Sequence, residues 1–267
     1  ASETGILIRS LEHYEGSFED GQGSVGPWAA RTAGSWGNAL EVSICATSTA
    51  FEQNITTTNL VNGAGSSGDT TVTVDDVDDS SYGINVGDIV SFFTDSGFGT
   101  YATNHVGQEY EVTARSTSDN TITIRKKDDP NSGGLNGSLA DNSYIRRRWK
   151  YYDLFNAAPG TSAWATENNK GTADEMHVVV ADTTGEITGF SNAVASQRTT
   201  AVIETYEAVS KNSTAKTAQG QTNYYRSVIN TQSQYVYWMD HLGAGTNWGE
   251  DLVASNKICL LYTSDAA

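Results

Sequence analysis

The sequence predicts an α/β fold, a mixed sheet with flanking helices, interrupted by a small inserted antiparallel β module of barrel or sandwich type. Three observations predict it. Residues 176–181 (MHVVVA) form a short apolar run of the kind a strand shows when both faces of its sheet are covered. Further on, Val202, Ile203, Tyr206 and Val209 fall at i, i+1, i+4 and i+7, a stripe that predicts a helix over 200–211. Residues 57–143, in contrast, hold only short β-type runs separated by turn residues, with no helical period.

Taken in order, the chain opens with an apolar stretch at 5–11 and an acidic, glycine-rich loop through Gly26, then a second small-residue loop to Asn38. Leu40, Val42 and Ile44 alternate with Glu41, Ser43 and Cys45, the period of a strand. Residues 56–69 (TTTNLVNGAGSSGD) have a linker's composition. The runs TVTVD (71–75), IVSFF (89–93), EYEVTA (109–114) and TITIR (121–125) then supply the strands of the module. A loop at 128–142 leads back to a strand from Tyr144 to Trp149. After the strand at 176–181 and the helix at 200–211, Tyr224, Tyr225, Val228 and Ile229 share one side of a second helix near 223–230, and YVYWM (235–239) is a strand. Strand, helices, strand describes a layer with a right-handed crossover. The organisation expected is therefore a discontinuous α/β core from 1–56 and 144–258, too poor in strands for its halves to stand alone, around an all-β insert at 57–143.

Composition narrows the function. The formal charge is −16, from 32 acidic against 16 basic residues, a field that repels phosphate backbones and anionic lipid. Neither nucleic-acid binding nor membrane insertion is expected, and no apolar run approaches the ~20 residues that span a bilayer. Thirteen Tyr and six Trp give enough apolar surface for a core, so disorder is not expected. The first residues carry neither a signal peptide nor a starting Met, so an upstream portion is expected. The last nine, 259–267, read as a translated sequencing adaptor. That leaves Cys45, in its alternating strand, as a small buried hydrophobe, and one cysteine suits a reducing compartment.

Each motif with chemical potential has a plainer reading beside it. Gly21, Gly23 and Gly26 match G-x-G-x-x-G, but no strand precedes them and Pro27-Trp28 follows, so a surface loop is expected. Asp75, Asp76, Asp78 and Asp79 fail the EF-hand pattern, since Ser81 and Gly87 stand where a turn glycine and a bidentate Glu belong. They read as a solvated strand end. Arg146, Arg147, Arg148 and Lys150 would point to alternate faces of a strand and are expected to form ion pairs. His13, His105, His177 and His241 lack metal-ligand spacing, and His177 reads as a satisfied core residue. Asp240-His241, after the last strand, is the one place where an activity could reside. The sequons at Asn54, Asn136 and Asn212 are chance matches. No catalytic, cofactor-binding or metal-ligating residue is expected, and no cofactor.

Four blocks of the sequence resemble the tail sheath proteins of contractile-tailed bacteriophages. They are AARTAGSWGN (29–38) followed by a Leu-x-Val strand, YDLFNAAPGTS (152–162), DEMHVVV (174–180), and the run from Glu204 through Lys216, NYYRSVI (223–229) and SQYVYWMDH (233–241). The resemblance implies a subunit that stacks in rings around a rigid tube and contracts on a baseplate signal to drive the tube through the host envelope. Its implied partners are copies of itself, the tail tube and the baseplate, and its implied location is the virion, with assembly in the bacterial cytoplasm. The family links subunits through terminal arms that this stretch lacks, so the stretch by itself is expected to fold without polymerising. A sheath from a bacterial contractile injection system would share the mechanics, and a secreted carbohydrate-active β protein is the reading from another class.

Overall fold

A computed structural model describes residues 28–32, 35–129, 133–193, 197–238 and 257–258. About 33% of the described residues are in strands and 12% are helical, so the fold is β-rich rather than the expected α/β arrangement with flanking helices. Twelve strands among these residues form three antiparallel sheets. A pair joins β1 (Trp28–Ala30) to β11 (Val236–Trp238). A four-stranded sheet runs β10 (Val202–Ser210), β9 (Glu175–Asp182), β2 (Leu40–Cys45), β12 (Lys257–Ile258). A six-stranded sheet runs β3 (Glu52–Ile55), β8 (Tyr144–Arg148), β5 (Ile89–Phe93), β6 (Tyr110–Ser116), β7 (Thr121–Lys126), β4 (Thr71–Thr73). The α-helices are α1 (Ser48–Phe51), α2 (Ala163–Glu167) and α3 (Tyr225–Gln232).

The four-stranded sheet unites residues from both sides of the insert, pairing Leu40 with Asp182 through Cys45 with His177. Its central strand β9 explains the uninterrupted apolar run. Met176, Val178 and Val180 pack on one face with Leu40, Val42, Ile44, Tyr225 and Trp238, while Val179 and Ala181 pack on the other with Cys45, Trp149, Tyr151 and Phe155. Alternate side chains thus enter two cores, each fully buried one contributing roughly 1.5–3 kcal/mol.

The helix expected over 200–211 is instead β10, antiparallel to β9, so no right-handed crossover is formed there. The cause is a bulge. The register runs from Tyr206↔Val178 straight to Val209↔Met176, leaving Glu207 and Ala208 opposite a single residue, and Ala208 takes φ +50°. The one extra residue there, together with a second register shift between Val202 and Glu204, breaks the period-2 alternation and spaces the apolar positions as a helix would. The second helix is found as α3, where Tyr225 and Ile229, one turn apart, are buried and the Tyr225 ring lies 4.1 Å from that of Trp238.

The six-stranded sheet contains every β-type run expected between 57 and 143, and it also recruits β3 and β8. Its margins are strapped together by residue 61. Val61 bridges to Val74 beyond β4, its N–H donates to the Ser143 carbonyl, and its own carbonyl accepts from Asn142 ahead of β8. Inside lie Ile55, Phe92, Tyr110, Val112, Ile124 and Ile145 with other apolar side chains. The strap needs glycine at 134: φ is +96°, and a Cβ there would fall 2.2 Å from the Gly68 carbonyl oxygen.

Candidate functional site

Two polar constellations stand out, one joining the segments at 152–162, 174–180 and 204–216 and one where the two large sheets meet. In the first, Asp174, just before β9, is buried and accepts from the Ser162 N–H (2.7 Å), the Ser162 hydroxyl (2.9 Å) and the Ser210 hydroxyl. Ser162 in turn caps α2 by accepting from the Ala165 N–H. Glu175 accepts from the Gly160 N–H, and the Lys211 ammonium donates to the carbonyls of Ala46 and Ala173. The blocks at 152–162, 174–180 and 204–216 are thus tied at one point. The remaining blocks meet through Arg31, which donates to the carbonyls of Val236 and Asn230 and stacks 3.9 Å over Tyr237.

His177 lies beside this knot, 2% exposed, stacked on Phe155 with ring centroids 4.2 Å apart. The Ala208 N–H donates to Nδ1 at 3.0 Å, so Nε2 carries the proton and donates to the Ala157 carbonyl at 2.9 Å. Burial pulls the imidazole below its ordinary pKa, outweighing the Ala157 carbonyl and the charges of Glu207 and Glu175. Both nitrogens are held by backbone, so the ring does not connect a hydroxyl to a carboxylate.

The second constellation is a charged seam. β6 and β7 present a cross-strand pair of opposite charge, Glu111 with Arg125, and just beyond their ends Glu109 pairs with Lys127. Residues of the other region complete them. Arg198 Nη2 lies 2.6 Å from Glu111, Asp153 lies 3.2 Å from Lys127, and the Tyr152 hydroxyl donates to Glu109. Burial pushes Glu109 up, but Tyr152, Lys127 and Arg148 outweigh it and hold its carboxyl below the usual range. Burial lowers Lys127, yet Glu109 and Asp153 prevail and hold its ammonium above its ordinary value. A cleft of about 340 Å³ opens beside the seam, with Glu41, Glu111, Arg125, Lys150 and Asn192 in its wall. Glu41 accepts from the Tyr151 hydroxyl and lies 3.5 Å from Lys150, while Asn192 donates to Tyr151. The carboxylates of this cleft face cations, Glu111 meeting Arg125 and Arg198 while Glu41 lies beside Lys150.

The basic run behaves as ion pairs. Arg148 meets Glu52 at 2.6 Å and Glu109 at 2.9 Å, and Arg146 approaches Glu52. Arg147 is buried, 3.7 Å from Asp88, and donates to the Thr49 carbonyl and Gln53. The aspartates are turn-forming: Asp75 accepts from the Leu60 N–H, Asp79 from those of Ser81 and Tyr82, and Asp78 pairs with Arg115. Among the described residues, no three His, Cys, Asp or Glu side chains converge to hold a metal ion, and no helix is long and apolar enough to cross a membrane. His105 is buried with Nδ1 2.8 Å from the Tyr110 hydroxyl, and the buried Cys45 thiol lies 3.5 Å from the Thr47 carbonyl oxygen. The glycine loop at 21–26, His13, Asp240-His241 and residues 259–267 lie outside the described residues.

Sequence reasoning had not singled out Asp174, Ser162 and Ser210, which come together only through the fold. The seam left a signal: Glu109 and Glu111, like Arg125 and Lys127, repeat at period 2 on adjacent strands. No protein-family model matches the chain, and no curated protein matches it either.

Proposed function

We propose that this chain is a structural subunit of a contractile phage tail sheath, which drives the tail tube through the host envelope during genome delivery. One observation supports the reading above the rest. The blocks that resemble sheath proteins, far apart in sequence, are cross-braced through buried and half-buried hydrogen bonds at Asp174, Glu175, His177 and Arg31. Such bracing suits a unit that moves as a rigid body between two lattice packings. The acidic surface suits a protein made in many copies, and the paired charges of the seam suit a device that transmits force rather than turning over a substrate. Its partners are further copies of itself, the tail tube and the baseplate, in the virion.

The test is electron microscopy of the product of the complete reading frame, alone and mixed with isolated tail tubes. Rings or hollow tubes with a regular axial repeat are expected. A protein that stays monomeric at high concentration and leaves tail tubes bare would sink the proposal.

A further inference from the structure

Ala208 holds a left-handed conformation at the β10 bulge, φ +50°, unfavourable for a residue with a Cβ by roughly 1–2 kcal/mol. Its N–H is secured by His177 Nδ1 and its carbonyl accepts from Asn223 Nδ2 at 3.0 Å. The other ring nitrogen holds Ala157, in the segment that runs on to Ser162. A single imidazole therefore ties an outer strand of the four-stranded sheet to a loop 50 residues away, and it does so only in one tautomer.

We propose that His177 is an acid-sensitive pin: protonation at Nδ1 sets a ring N–H against the Ala208 N–H, releasing the bulge and loosening β10 against β9. The charged groups facing the ring are Glu175 on β9 and Glu207 on β10, both of which favour the imidazolium. Lys211, beyond the end of β10, is engaged by the Ala46 and Ala173 carbonyls, and α1 and the segment after Tyr152 contribute the uncharged rings of Phe51 and Phe155. Burial outweighs the two glutamates, which keeps the ring neutral at neutral pH and lets it charge as the pH falls. The proposal concerns the isolated subunit and stands apart from the sheath reading.

The test pairs nitrogen NMR of the imidazole with amide exchange from pH 7.5 to 5.0. At neutral pH the Nε2–H tautomer is expected. Exchange at Ala208, corrected for intrinsic chemistry, is expected to rise about tenfold per pH unit as pH falls from the ordinary imidazole value toward the lowered midpoint of the folded protein, and to level off below that midpoint, as a one-proton step requires. His177→Asn, which keeps an acceptor but cannot titrate, is expected to abolish that step. An Nδ1–H tautomer at neutral pH, or a step that survives in His177→Asn, overturns the proposal. If the variant does not fold, the wild-type protein decides: a levelling-off at a pH that departs from the imidazole midpoint overturns it equally.

Discussion

The six-stranded sheet wraps around one apolar interior, from Ile55 to Ile145, and its strands follow from short runs rich in β-branched and aromatic residues. The four-stranded sheet has such a face at Leu40, Val42 and Ile44, but on its other face Glu41 and Ser43 are buried as well. Those two bind what covers them: the Trp149 indole donates to Ser43 at 2.9 Å and the Tyr151 hydroxyl to Glu41. One region thus takes its register from hydrophobic pattern, the other from directional bonds between segments distant in sequence.

Substitutions separate these two modes. The largest effect is expected at their junction, where Arg147→Ala leaves Asp88 buried without its cation, a loss of about 3–5 kcal/mol read from the urea midpoint. Adding Asp88→Asn should restore part of it. Phe92→Ala, deep in the apolar interior, should also cost about 3–5 kcal/mol, with exchange protection lost across β5–β8 and kept in β2 and β9. Equal loss in both regions would merge them into one cooperative unit. Asp174→Ala removes three hydrogen bonds and should cost about 1–3 kcal/mol, with faster exchange at Ser162 and Lys211, while Asp174→Asn should cost less.

Acid should act on the four-stranded region through Asp182. Burial pushes this carboxyl up, but the N–H groups of Thr188, Ile187, Gly185 and Thr184 outweigh it and hold its pKa below the ordinary 3.8. Its contribution is full above that value and is lost as pH falls through the lower folded one. Exchange at 184–188 should therefore quicken below about pH 4, and Asp182→Asn should flatten that dependence. The smallest effect is expected at Arg146→Ala, a rim residue near Glu52 and Asn54, within about 0.5 kcal/mol by denaturation.

Alternation made β7 legible, since Thr121, Thr123 and Arg125 are half-buried while Ile122 and Ile124 are inside. In contrast β5, buried throughout, and β6, bulged between Val112 and Ala114, were legible through their Val, Ile, Tyr and Phe content. β10 was not legible, because a two-residue bulge shifted Val209 out of phase with Tyr206. Its wealth of Val, Ile, Thr and Tyr was the competing signal for a strand. The ion pairing of Arg146–Arg148 followed from alternate directions on a strand, and their partners Glu52 and Glu109 did not, since cross-strand neighbours depend on sheet order. The knot at Asp174 joins residues that no spacing rule relates.

One hydrogen bond measures how the insert is attached. The Trp149 N–H donates to the Phe51 carbonyl at 2.9 Å, immediately outside the paired strands β3 and β8. The polypeptide leaves and re-enters the four-stranded region through a doorway one peptide wide. Nearly a hundred residues could be cut out there and the stumps ligated by a tight turn, keeping the chain path continuous but stripping Arg198 of Glu111, Tyr152 of Glu109 and Asp153 of Lys127.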